Sequence, residues 1–147
     1  MRLYSAFDFA EQGASIMNYN FYIILGLFIF IPARASESLE TDFYKINVFS
    51  IGFNGFVARK MPQQVLYEKI LSQEDSAVFF ENAIRSPYST PESKLYAACG
   101  LWEMKRYMLE KIIPPLTAER VSVLKADRLF RERFEQIFQS IKQHGCN

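Results

Sequence analysis

One uninterrupted apolar run near the start of the chain constrains its organisation more than any other feature. Phe21 to Ile31 contains eleven residues without a charge or a strongly polar group. A helix of that length spans about 16 Å, whereas a bilayer core requires about 20 apolar residues. The run therefore matches the apolar core of a secretory signal. Pro32 breaks the helix and the tripeptide at 33–35 is Ala-Arg-Ala, so we expect signal cleavage between Ala35 and Ser36.

An ordinary signal peptide has a positively charged segment before its apolar core, but the segment before this run carries little positive charge. Asp8 and Glu11 offset Arg2. A start at Met17 would give a very short head to the signal, and residues 1–16 are then interpreted as an upstream extension.

The apolar run also sets the predicted domain organisation. Residues 17–35 are expected to form a signal peptide or an N-terminal anchor, and residues 36–147 a helical domain. Two alternatives stay open. Residues 21–33 could be retained as a membrane anchor, or the run could be a buried helix of a cytosolic protein.

Charge narrows the range of partners. The chain has 17 basic and 16 acidic residues, so it is close to neutral. Near-neutrality argues against a dominant role in binding nucleic acid or anionic membranes. We expect an unidentified protein partner, no nucleic acid, and membrane contact only through residues 21–33 if they are uncleaved.

The two cysteines indicate the compartment. In an oxidising compartment Cys99 and Cys146 can form one disulfide. Closing a loop of that length stabilises the fold by about 4 kcal/mol in the chain-entropy model. The alternative is that Cys99 is a small buried apolar residue and Cys146 lies in a frayed tail. With export, the disulfide is favoured, and the location is periplasmic or secreted, with an inner-membrane anchored form as the alternative.

Helix start signals dominate the second half of the chain and predict an all-α, single-domain bundle of about four helices. The apolar run from Leu95 to Trp102 should be central and buried, and Gly100 within it indicates close approach of another helix. Four helices are expected: from Pro62, from a capping box at Ser72–Asp75 to about Arg85, from the N-cap Thr90 to Pro114-Pro115, and from Thr117 to about Gln143.

The segment before these helices gives weaker signals. Residues 36–42 are polar and predict a flexible N-terminus of the mature protein. Residues 43–56 fit neither a clean alternation nor a helical stripe. A hairpin turning at Asn54-Gly55, a loop, or a short helix ending at Gly52 all remain open.

A family resemblance rests on two motifs. Ile51-Gly52-Phe-Asn-Gly55 is followed by two predicted short helices and then by the run TPESKLYAACGL from Thr90 to Leu101. This order resembles a pattern in small exported helical bacterial proteins of unknown function. The resemblance covers about half of residues 36–147. It implies a compact, all-helical arrangement with HEAT-like helix pairing, and it implies no catalytic residues.

The residue inventory excludes most catalytic chemistry. His144 is the one histidine and lies near the chain end, a poor place for a base that needs ordered partners. Glu103 and Glu110 share a helical face, but Arg106 between them favours an ion-pair ladder over acid–base catalysis. No zinc-site spacing and no phosphate-binding glycine loop is present. We expect no metal, no cofactor and no enzymatic activity.

The remaining candidates point to protein binding. One of the adjacent Phe79 and Phe80 should face outward, and Tyr88 lies in a predicted loop. Arg128 and Arg131 belong to a basic set on the predicted last helix, where interleaved acidic residues favour an ordinary exposed face. The possible interface residues are Phe79, Tyr88, Arg128 and Arg131. The predicted function is an exported, non-catalytic binding protein of the bacterial envelope, an immunity, inhibitor or adaptor protein; the alternative is a membrane-anchored accessory subunit.

Overall fold

Helices predominate in this chain, but they are not its only elements. The structure is a computed structural model that describes residues 34–55, 58–112 and 118–146, with only the backbone described for 34–37. In chain order the elements are α1 (Arg34–Tyr44), α2 (Pro62–Leu71), α3 (Ser76–Arg85), α4 (Pro91–Lys111), β1 (Arg120–Lys125), β2 (Arg128–Arg133) and α5 (Phe134–His144). Within these ranges, no helix is both long and apolar enough to cross a bilayer. The predicted upstream extension at 1–16, and residues 17–33 of the predicted signal peptide or anchor, lie outside the described residues.

The centre of the fold is α4, as its uncharged run predicts. The Thr90 side chain accepts a hydrogen bond from the Ser93 amide at 3.2 Å, and Pro91 takes the first helical position. Every residue from Glu92 to Leu101 is buried. Both α3 and α5 pack against α4. The predicted start of this helix is therefore confirmed, and so is its central place.

The approach of α3 to α4 explains Gly100. A Cβ atom built at this position would overlap the Phe80 ring. Phe80 belongs to the predicted apolar face of α3, where it lies fully buried together with Ala77 and Ile84. The missing side chain therefore lets an aromatic ring lie directly on the α4 backbone, which offsets the lower helix propensity of glycine.

The predicted N-cap of α3 differs from the one in the structure. The predicted capping box gave Ser72 the role of N-cap for α3. Ser72 instead follows the last residue of α2, and its hydroxyl donates to the Lys69 carbonyl at 2.8 Å. Asp75 stands at the N-cap position of α3 without a capping hydrogen bond from its side chain. A serine can satisfy helix ends on either side, so its spacing to Asp75 alone does not decide between them.

The polar segment before Phe43 is helical, so the predicted flexible N-terminus at 36–42 is wrong. Phe43 is fully buried and packs against Phe79 and Phe80, with ring centroids 5.2 and 5.8 Å apart. Phe43 is the one fully buried side chain described in α1, and Leu39 and Tyr44 pack against the same core, so a few apolar contacts order a mostly polar helix. The chain after α1 is attached to α4, because the Thr90 amide donates to the Tyr44 carbonyl at 3.0 Å.

Residues 46–55 form an extended loop, one of the alternatives that the sequence left open. Phe49 makes a parallel bridge with Val123, and Asn54 makes an antiparallel bridge with Arg59. Gly55 lies between the members of the second bridge and has φ +81°, a conformation that favours glycine. The Asn-Gly signal therefore marks a tight turn, although the paired segment is one bridge long.

The largest correction concerns the end of the chain. The sequence predicted one helix from Thr117 to about Gln143, but residues 120–133 form an antiparallel hairpin and α5 begins only at Phe134. The hairpin turns at Ala126-Asp127, with φ +45° and +64°. The helix stop signal is confirmed, because the Gly145 amide closes α5 on the Ile141 carbonyl at 2.9 Å.

Candidate interaction surface

The hairpin has two chemically different faces. Its register pairs Arg120 with Arg133 and Lys125 with Arg128, and side chains alternate between faces along each strand. Val121 and Val123 are buried, which defines the inner face. The inner face carries Val121, Val123, Lys125, Arg128, Phe130 and Glu132, and the outer face carries Arg120, Ser122, Leu124, Leu129, Arg131 and Arg133.

The outer face combines positive charge with apolar side chains. Arg120 and Arg133 lie directly opposite each other, which is unfavourable for two like charges. Arg131 donates to the Ser122 hydroxyl at 2.8 Å, which fixes its guanidinium on this face. Leu129 is 61% exposed. The register places three guanidiniums and no carboxylate on this face of the hairpin, so it suits an anionic, partly apolar partner.

The edge of β1 that faces away from β2 is bonded to other parts of the fold. The Phe49 amide donates to the Ser122 carbonyl at 2.8 Å, and the Leu124 amide donates to the Phe49 carbonyl at 2.9 Å. The Ser122 amide donates to the carboxylate of buried Glu92 at 2.8 Å. Phe49 therefore pairs with β1 through one donated and one accepted backbone hydrogen bond, and Glu92 attaches β1 directly to α4.

Tyr96 holds the segment that pairs with β1. Its hydroxyl donates to the Ser50 carbonyl at 2.6 Å and accepts from the Ser50 amide at 3.0 Å. Its ring packs edge-on against Phe49 with centroids 4.9 Å apart. Burial raises the pKa of Tyr96 to about 12, against the opposing effect of the Ser50 backbone hydrogen bond. Tyr96 thus holds the segment at Phe49 and Ser50 in place, and this segment in turn positions β1.

A groove of about 300 Å³ lies on the inner side of the hairpin, next to α5. Its charged residues, Lys125 and Glu132, bind each other at 2.7 Å. The lining is mainly apolar, and its apolar members are Phe49, Ile51, Val123, Ile137, Ile141 and Cys146. Its titratable side chains neutralise each other, so the groove offers apolar contact more than acid–base chemistry.

The predicted cysteine pair lies at one border of this groove. Cys99 is fully buried on α4 and Cys146 follows α5, and their sulfurs are at disulfide-bonding distance with the Cα atoms 5.6 Å apart. This spacing is within the usual range for a disulfide. Gly145 next to it lies so close to Trp102 that a Cβ atom would contact the indole ring. The chain end is therefore attached to the middle of α4, as predicted.

The four predicted interface residues do not form one surface. Phe79 is half-buried and packs against Phe43 and Tyr44, so its ring belongs to the aromatic cluster beneath α1. Tyr88 is 84% exposed and lines a separate cavity beside α1. Arg128 and Arg131 are both on β2, although the register places them on opposite faces.

Only half of the predicted ion-pair ladder on α4 is present, the pair between Arg106 and Glu110. Arg106 lies 3.6 Å from Glu110, and both side chains are more than half exposed. Glu103 instead faces Tyr67, whose pKa is raised by burial and by this carboxylate. Among the described residues, no group of three or more His, Cys, Asp or Glu side chains could hold a metal ion.

The outer face of the hairpin was missed in the sequence because the strands themselves were missed. On a helix, the basic residues interleave with Glu119, Asp127, Glu132 and Glu135, which predicts an ordinary exposed face. Pairing in a hairpin moves Glu132 to the inner face, so that no carboxylate of the two strands lies on the face of Arg120, Arg131 and Arg133. The alternation of Val121 and Val123 was the available signal for β1.

No protein-family model matches the chain. No curated protein and no solved structure matches it either. The interpretation of the surface therefore rests on its own geometry and charge, and the resemblance to small exported bacterial proteins stays a prediction.

Proposed function

We propose that this chain is an exported, non-catalytic protein-binding protein of the bacterial envelope, acting as an immunity, inhibitor or adaptor protein. The observation that carries the proposal is the outer face of the hairpin. Arg120 and Arg133 face each other there at a cost to the isolated fold, and Leu129 stands exposed beside Arg131. An anionic partner would relieve the repulsion and cover the leucine.

The proposed location is the periplasm or the exterior, reached through the apolar run at 21–31 and cleavage between Ala35 and Ser36. The paired cysteines support an oxidising compartment, where such bonds persist. A HEAT-like pairing of helices within the domain is part of the same proposal, and the packing of α3 on α4 supports it.

One observation favours the anchored alternative. Helix α1 already includes Arg34, Ala35 and Ser36, so the proposed cleavage site falls in its first turn. Proteolysis prefers exposed irregular segments to helices. Retention of residues 21–33 as a membrane anchor would leave α1 intact and make the chain an accessory subunit held at the inner membrane.

The mass of the protein isolated from its native host decides between these two forms. A chain beginning at Ser36 supports export with cleavage, whereas a chain that retains residues 21–31 contradicts it. The same sample, measured before and after reduction, tests the compartment. Free thiols at both Cys99 and Cys146 would contradict an oxidising location.

Binding itself is tested by site-specific photocrosslinking in the native host. A photoreactive residue at position 129 should give one discrete crosslinked protein, because Leu129 is on the proposed surface. The same residue at position 65 is the matched control, since Val65 on α2 is similarly exposed at 53%. Equal crosslinking at both positions, or none at position 129, would contradict the proposed binding surface.

A further inference from the structure

The backbone groups of β2 point toward two edges of the strand: one edge pairs with β1, and the other, here called the outer edge, faces away from β1. Phe49 is hydrogen-bonded to the Ser122 carbonyl and the Leu124 amide, so the backbone groups of these two residues point away from β2. The alternate residues of β1 therefore form the hydrogen-bonded pairs of the hairpin, Val123 with Phe130 among them. It follows that the amides and carbonyls of Leu129, Arg131 and Arg133 point away from β1, toward the outer edge of β2.

This edge differs from the edge of β1. Phe49 and Glu92 occupy the β1 edge, whereas no backbone hydrogen bond among the described residues reaches the amides or carbonyls of Leu129 and Arg131. Arg133 is the N-cap of α5, so its carbonyl belongs to the first turn of that helix and only its amide is left for a strand. The side chains of these three residues are exposed. An edge with free backbone groups is a template for another strand.

Charge selects what can pair there. A second copy of β2 paired antiparallel about Arg131 would place this arginine against its counterpart, which is destabilising. An extended segment with carboxylates at alternate positions would instead meet Arg131 and Arg133, and its apolar residues would meet Leu129.

We propose that the outer edge of β2 binds an acidic, extended segment of a partner protein, which adds to the hairpin as a further antiparallel strand. The inference rests on the proposed function, which already calls for an anionic partner, and adds the partner's extended conformation. Backbone hydrogen bonds would supply affinity, and the arginines would supply specificity.

The first test measures binding of two model peptides to the purified protein by calorimetry. Both are acetylated peptides of about eight residues that alternate Glu with Val, a usual length for a strand. The second is N-methylated at every other amide, so that one edge cannot donate while charge and composition are kept. We expect the unmodified peptide to bind and the methylated peptide to bind at least about tenfold more weakly.

Two variants of the protein test the same edge by changing β2 instead of the peptide. Leu129→Pro removes an outward-pointing amide without removing a bond between β1 and β2, and proline is tolerated at sheet edges. Leu129→Ala is its control, because it loses the same apolar side chain but keeps the amide. We expect Leu129→Pro to bind at least about tenfold more weakly than Leu129→Ala.

Charge is tested with Arg131→Glu, which should abolish binding, against Lys69→Glu on α2, which should leave it unchanged. Equal binding of both peptides would overturn strand addition, and so would the absence of binding at about 1 mM. Tighter binding of anionic vesicles or of a single-stranded oligonucleotide would also overturn the inference, in favour of that ligand. A specific crosslink at position 129 with equal binding of both peptides would leave the proposed function standing while the strand inference fails.

Discussion

At the scale of single residues, long-range contacts of a few α4 side chains hold the non-helical parts of the fold. Tyr96 and Glu92 bind backbone groups 46 and 30 residues away. The sequence places both residues on the helix that begins at Thr90, and Tyr96 in its predicted buried run. Their partners could not, because nothing local indicates which backbone group an inward-pointing hydroxyl or carboxylate will meet.

Replacing Tyr96 by Phe should destabilise the protein. The change keeps the ring but leaves the buried amide and carbonyl of Ser50 without their partner, which costs about 1–3 kcal/mol. Urea unfolding at pH 7 measures the loss. Tyr88→Phe is the control, because Tyr88 is exposed, and it should leave the unfolding free energy unchanged.

The same variant should also change the response to alkali. The pKa of Tyr96 is about 12 when folded and 10.0 as the ordinary value, so the folded state holds the phenolic proton more tightly. The contribution of this raised pKa to the unfolding free energy is complete below pH 10 and is lost as pH rises toward 12. Tyr44 adds to the effect. Buried Lys94, whose pKa is lowered from 10.5 chiefly by burial, makes stability rise with pH only up to that ordinary value, so it does not offset the loss at higher pH. The unfolding free energy of Tyr96→Phe should therefore fall less steeply above pH 10 than that of the original protein.

At the scale of elements, cap and turn chemistry explains which predictions succeeded. Pro62 and Thr90 mark helix starts that the structure confirms, because a proline or a capping hydroxyl satisfies the helix terminus locally. The hairpin lacks such a signal. Its turn is Ala126-Asp127, and β2 carries four charged residues in six, which is unusual for a strand. Pairing of β2 with β1, whose other edge is held by Phe49, outweighs this weak local preference.

The turn offers a direct test of that explanation. Ala126 and Asp127 both have positive φ, which an ordinary side chain adopts at a cost. Replacing them with Asn and Gly, the preferred pair for such a two-residue turn, should stabilise the protein by about 1 kcal/mol. Thermal unfolding measures the gain, and Asp127→Val, a β-branched residue at positive φ, should lower the midpoint. An unchanged midpoint in both variants would contradict the assigned turn.

At the scale of the whole molecule, the described residues after Arg34 belong to one unit, Ala35–Asn147. Within it α1 is held by Phe43 and by the bond between the Tyr44 carbonyl and the Thr90 amide. The disulfide holds the other end against α4. Both ends of the unit are thus attached to the same central helix, although neither end contributes to the outer face of the hairpin.

Two truncated chains should therefore behave differently. A fragment of residues 36–147 should fold, because it keeps Phe43 and its contacts with Phe79 and Phe80. A fragment of residues 46–147 loses that buried ring, and removal of a buried phenylalanine typically costs about 3–5 kcal/mol, a large part of the stability of a small domain. Amide chemical-shift dispersion and urea unfolding distinguish the two. Phe43→Ala within the longer fragment is the matched control, and it should reproduce most of the loss. Equal stability of the two fragments would show that α1 is an appendage and that the domain begins after it.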